Sequence, residues 1–210
     1  MQIFEGLSLA CLGLLACAST PGTAGETKDY GYREDGQVWV RGPWGAINPS
    51  KDVDAVIDQL CPAVMDLPRA RLRDYGQEYC GAIYTLGDGI YYASHTSTLS
   101  NARRIGGVQR KSCIPPRYVN DERGRAVVHG DYHNHPYAAN DLSTADKQAA
   151  NQIWSIRIQF DAGCIVMMLV PHIGEARPGE VFRREGKSWK LIGMIKPEDK
   201  MDGIMTPVGE

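Results

Sequence analysis

A chain of 210 residues holds one domain with a substantial core, plus tails. Its 23 Lys and Arg against 25 Asp and Glu leave a formal charge of -2, without the basic excess of a nucleic-acid binder. Apolar residues at 43% and aromatics at 8% match a soluble globular protein.

Residues 7–16 form an apolar run, too short to span a bilayer and of the length of a signal-peptide core. The run ends in Leu14-Leu15-Ala16-Cys17, which resembles a bacterial lipoprotein cleavage box with Cys17 as the lipidated residue. Against this, residues 1–5 contain no Lys or Arg and include an acid, Glu5. The expected organisation is a signal peptide over 1–17, a flexible tether over 18–36, one domain over 37–196 and a frayed tail over 197–210. The expected address is the periplasm or cell envelope, with membrane contact only through Cys17. Past the signal, Cys61, Cys80, Cys113 and Cys164 remain; an oxidising compartment predicts two disulfides among them, in any of three pairings. Cys80 and Cys164 also suit small buried hydrophobes, and the absence of a C-x-x-C spacing argues against a zinc knuckle.

Within the domain, residues 37–40 read as a short strand broken by Arg41-Gly42-Pro43-Trp44-Gly45. A helix follows, with Ser50 as N-cap, Asp52 in its first turn and a core stripe of Val53, Val56, Ile57, Leu60, Cys61 and Val64. Residues 68–74 are a polar connection. Strand-like runs over 79–86 and 90–94 predict a hairpin through Gly87-Asp88-Gly89, with Glu78 at the start of its first strand. Residues 97–124 are long and irregular, and read either as the border of a substrate groove or as a surface excursion pinned by Cys113.

Residues 125–135 read as a strand, so His133 and His135 point to one face, and Pro136 ends the ladder. A helix is expected over 144–156, with Ala149, Ala150, Ile153 and Trp154 on its apolar side and Asp146 in its first turn. Two imidazoles and one carboxylate form a three-ligand zinc site with a fourth position for water. His129 and Asp131 share the parity of the two histidines and are rival ligands; they rank below Asp146, which would add a ligand from a facing element. Ser143-x-x-Asp146 is also an ordinary capping arrangement. Residues 164–170 then predict a buried strand, His172 a loop histidine, and 180–184 with 189–195 a final hairpin.

His133-Asn134-His135-Pro136, Ser143 and Asp146, with the upstream Glu78-Tyr79-Cys80-Gly81, resemble the JAMM motif of the JAB/MPN metalloprotease superfamily. The likeness covers about residues 50–194 and is nearest to an uncharacterised bacterial branch of secreted and toxin-associated proteins. One departure is Asn134, where the eukaryotic deubiquitinases carry Ser or Thr. The resemblance implies an α/β, JAB/MPN-like fold, a curved and mostly antiparallel sheet flanked by helices. It further implies Zn2+ on His133, His135 and Asp146, Glu78 as general base and acid, and Ser143 as a donor to the oxyanion unless its hydroxyl is used in the cap. The implied reaction is hydrolysis of peptide or isopeptide bonds in a peptide or protein substrate, with oligomeric state left open. The alternative is a non-catalytic module that binds an envelope or toxin partner. A zinc deaminase would need His-x-Glu and Pro-Cys-x-x-Cys, which do not occur, and a nuclease would need a basic surface.

Overall fold

The computed structural model describes residues 28–100, 103–105, 108–110, 112–136 and 142–209; the predicted signal peptide, Cys17 and residues 18–27 lie outside the described residues. In chain order the strands are β1 (Tyr30–Tyr32), β2 (Val38–Gly42), β3 (Cys80–Thr85), β4 (Tyr91–Ala93), β5 (Arg103–Ile105), β6 (Val108–Arg110), β7 (Tyr118–Asp121), β8 (Gly124–Arg125), β9 (Val127–His135), β10 (Ile156–Asp161), β11 (Val166–Val170), β12 (Gly179–Glu185), β13 (Ser188–Ile195) and β14 (Thr206–Pro207). The helices are α1 (Val53–Met65) and a single turn, α2 (Thr144–Lys147). An eight-stranded sheet runs in the order β14-β13-β12-β11-β10-β9-β3-β4, with β9 and β10 its one parallel pair. A second sheet has the order β1-β2-β7-β8, and β5 pairs with β6.

The expected α/β class, a sheet flanked by helices, is therefore incorrect: the protein is mostly β. The helix expected over 144–156 stops after one turn, because Gln148 leaves helical geometry at ψ 77°. A short 3-10 turn, Ala149–Asn151, follows, and Ile156-Arg157-Ile158-Gln159-Phe160 then alternates apolar and polar with period two. That alternation sits better in a sheet, where Ile158 and Phe160 are fully buried. Residues 30–32 of the segment read as a tether form β1 on the edge of β2. Residues read as a frayed tail form β14 and bury Lys200, whose ammonium donates to the carbonyls of His172 at 2.6 Å and Glu175 at 3.1 Å.

α1 begins where the amphipathic stripe begins, although its N-cap is Asp52, which accepts from the Asp54 N–H; Ser50 supports that cap by accepting from Asp52 N. Ile57, Leu60 and Val64 pack on Ile83, Tyr132, Ile158 and Phe160 of the large sheet. Each of these side chains contributes about 1.5–3 kcal/mol by leaving water. Tyr132 lies against Gly81, where a Cβ would collide with the ring, and its hydroxyl donates to Ser94 O. The other face of the sheet carries a smaller core of Leu142, Ala149, Met167, Leu169, Val181 and Ile195.

Two disulfides, Cys61–Cys164 and Cys80–Cys113, tie α1 to the β10–β11 turn and β3 to the 97–124 excursion. They point to an oxidising, exported location. Among the described residues no helix is long and apolar enough to cross a membrane.

Candidate metal centre

Strand parity determines which side chains can meet. Register places Tyr132 beside Ile158 and Gly81, on the α1 face. Asp131, His133 and His135 take the opposite face of β9, beside Arg157 and Gln159 of β10. Asp146 reaches that face from α2. Its position follows from the capping box: Ser143 Oγ accepts from Asp146 N, and Ser143 N donates to Asp146 Oδ2. The cap and the ligand geometry thus coexist in one turn.

Asp146 Oδ1 lies 3.2 Å from His133 Nε2, Oδ2 lies 3.3 Å from His135 Nε2, and the two Nε2 atoms are 3.2 Å apart. Among the described residues this is the group of His, Cys, Asp and Glu ligand atoms within 4.8 Å of one another, and it can bind a metal ion. His133 and Asp146 are buried, and His135 is mostly so. His133 Nδ1 is buried and has no hydrogen-bond partner among the described residues.

The electrostatics keep Asp146 anionic. Burial works to raise its pKa, but His133, His135 and Arg157 together hold it well below the usual carboxylate range. For His133, burial is the largest influence and pushes the pKa down, favouring the neutral ring that ligation needs. For His135, burial acts downward, but Asp146 and the Glu78 charge carry the pKa above its ordinary value. Arg157, itself almost buried, bridges Asp146 Oδ1 at 3.1 Å and Asp131 Oδ2 at 3.0 Å.

Reach separates the rival ligands, since Asp146 alone among the candidate acids joins the two imidazoles within 4.8 Å. The Asp131 carboxylate is engaged by Arg157, and His129 faces away, with Nε2 2.9 Å from Thr85 Oγ1 and its ring edge on Tyr91. Glu78 precedes β3, and extending the Cys80–His133 register by two residues places it opposite His135. Asn134 holds that extension. Its Oδ1 accepts from Tyr79 N at 2.7 Å, while its Nδ2 donates to Ala70 O and Gln77 O, each at 3.2 Å. Ser143 sits at the rim, its hydroxyl donating to Asp146 Oδ2 at 2.5 Å.

Arg157 and Asn134 are the two participants that sequence reasoning passed over. A helix expected up to 156 hides the strand parity that aligns Arg157 with Asp131; the alternating pattern after Ser155 carries that signal. Asn134 enters the sequence reading only as a departure from the motif, and nothing local marks its partners 55 to 64 residues earlier.

Comparison with protein-family models, with curated proteins and with solved structures gives no match to this chain. Fold and site together define a disulfide-bonded, mostly β protein with a buried His-His-Asp group beside a glutamate.

Proposed function

We propose that this protein is a zinc-dependent hydrolase of peptide or isopeptide bonds, a metallopeptidase of JAMM type, acting in the bacterial periplasm or cell envelope and anchored there through a lipid on Cys17. The observation that carries the reading is the spacing of the ligand groups: the two Nε2 atoms are 3.2 Å apart, with Asp146 Oδ1 3.2 Å from that of His133 and Oδ2 3.3 Å from that of His135. Zinc bonds of about 2.0–2.1 Å in tetrahedral geometry require ligand atoms about 3.3 Å apart. Three protein ligands leave one position open, the arrangement of catalytic rather than structural zinc.

Bound zinc supplies a Lewis acid that polarises a carbonyl and makes water acidic near neutral pH. The chain's own residues do the rest. Glu78, facing His135, takes a proton from the attacking water and returns it to the leaving amine. Arg157 and Ser143 fix the Asp146 carboxylate from two sides, so its oxygens stay on the imidazoles. With its hydroxyl turned to Asp146, Ser143 serves this orientation rather than an oxyanion.

The test measures metal content together with cleavage. Wild type and Glu78→Gln are expected to hold about one zinc per chain, and His135→Ala and Asp146→Asn below roughly a tenth. Proteomic cleavage profiling is expected to show new peptide termini with wild type and none with Glu78→Gln. Equal zinc in wild type and His135→Ala would remove the site. Full zinc with cleavage unaffected by Glu78→Gln would leave a binding module instead of an enzyme.

A further inference from the structure

A groove of about 1050 Å³ lies against β2, β7, β8 and the first residues of β9. This is the upper range of ligand-binding concavities, about 300–1,000 Å³. Val128 on its wall is five residues from His133 along β9, roughly 16 Å at about 3.3 Å per residue. The groove is therefore a separate place from the metal centre.

Six basic side chains line it, against two acids, Asp121 and Glu122. Two of the six are neutralised: Arg41 by Asp29 at 2.5 Å and Arg123 by Asp121 at 2.7 Å. Lys28, Arg33, Arg117 and Arg125 are exposed and have no ion-pair partner among the described residues. Arg33 instead lies over the Tyr118 ring, 4.2 Å from its centroid. The whole chain carries a formal charge of -2, so six bases against two acids make this groove a net positive patch on a chain that is otherwise net negative. The Trp39 indole N–H, also on the wall, has no acceptor among the described residues.

The backbone adds a second kind of receptor. β9 pairs with β3 from Val127 onward, but β10 joins its other side only at Gly130. Val127 and Val128 thus have a strand partner on one side alone, His129 falls in a bulge between the paired residues, and Val127 is half exposed. An open strand edge offers N–H and C=O groups at a repeat that an extended polypeptide matches and a sugar or phosphate chain does not. Guanidinium groups beside it match carboxylates in a forked geometry.

We propose that this groove binds an acidic peptide segment in extended conformation, added to the free edge of β9, with its carboxylates on Lys28, Arg33, Arg117 and Arg125. The site works whether or not the metal centre hydrolyses anything. It also gives a protein of net negative charge a way to hold an acidic partner.

Fluorescence anisotropy on the full chain tests it, using a labelled peptide of about ten residues that alternates Glu and Val. The Glu peptide is expected to bind at least about tenfold more tightly than its Gln counterpart, and binding should weaken as salt is raised. The triple variant Arg33→Ala, Arg117→Ala, Arg125→Ala should lose at least about tenfold in affinity with its Tm unchanged. Methylating alternate backbone nitrogens of the peptide should cause a similar loss, a measurement that needs no variant to fold. Equal binding of Glu and Gln peptides would overturn the proposal, as would an unaffected triple variant. A sulfated glycan that competes equally, with no effect of N-methylation, would assign the groove to polyanions in general and also overturn it.

Discussion

Asn134→Ala examines the reasoning most directly, because this fully buried carboxamide belongs to neither the metal ligands nor the hydrophobic core. The substitution removes three hydrogen bonds, from Tyr79 N at 2.7 Å and to Ala70 O and Gln77 O at 3.2 Å. Each such bond contributes about 1 kcal/mol net, and a partner left unsatisfied in the interior costs about 1–3 kcal/mol. Ala70 O is the buried partner, while Tyr79 N and Gln77 O are only part-buried, so the total should be about 3 kcal/mol. Urea unfolding should show the midpoint falling with the slope unchanged. Hydrogen exchange should show the Tyr79 amide losing protection, since its acceptor is gone. Asn134 points to the α1 face, opposite the ligands, so zinc content should stay at about one per chain while cleavage falls through a displaced Glu78. Asn134→Ser puts one shorter hydroxyl in place of the carboxamide and should fall between. A loss below about 0.5 kcal/mol with unchanged Tyr79 exchange would refute the claim that Asn134 positions the Glu78 segment.

The other predictions concern the supports of the site and the fold. Arg157→Gln leaves Asp131 and Asp146 without their shared cation and should weaken zinc binding about 10- to 100-fold in a chelator competition. Asp121, which accepts from Tyr84 and pairs with Arg123, has its pKa lowered to about 2, with the Arg123 hydrogen bond the largest cause. Its unfolded value is about 3.9, so its contribution of about 2 kcal/mol is complete above pH 4 and is lost as pH falls toward 2. Asp121→Asn should therefore lower stability by that amount at pH 7 and converge with wild type near pH 2, as read from urea midpoints across pH. The Cys61–Cys164 disulfide closes a separation of 103 residues against 33 for Cys80–Cys113. Replacing the first pair by Ser should cost about 4–5 kcal/mol and the second about 3–4 kcal/mol; the reverse order in thermal unfolding would contradict the loop-closure account.

The sequence alone determined what is written over short stretches. Period two put His133 and His135 on one face, the Ser143–Asp146 spacing made a capping box, and the stripe from Val53 to Val64 made α1. These features rest on bonds and periodicities within four or five residues, so neighbouring side chains state them openly. The end of that reach shows at Gln148, where a helical pattern continues in the sequence but the chain turns into β10. Strand pairing won there because Ile158 and Phe160 gain a core shared with α1, about a hundred residues earlier in the chain.

Only the tertiary structure shows which of the candidate groups actually meet. Asp146 rather than Asp131 meets the imidazoles because α2 brings its carboxylate within 3.2 and 3.3 Å of them, while Arg157 bridges the two acids. Glu78 comes opposite His135 because the β3–β9 register brings together residues 57 apart in the chain, held by the Asn134 carboxamide. Cys61 pairs with Cys164 because α1 packs over the turn after β10. Each outcome depends on cross-strand register and on competition for one charged partner, quantities that exist only once distant segments are packed side by side.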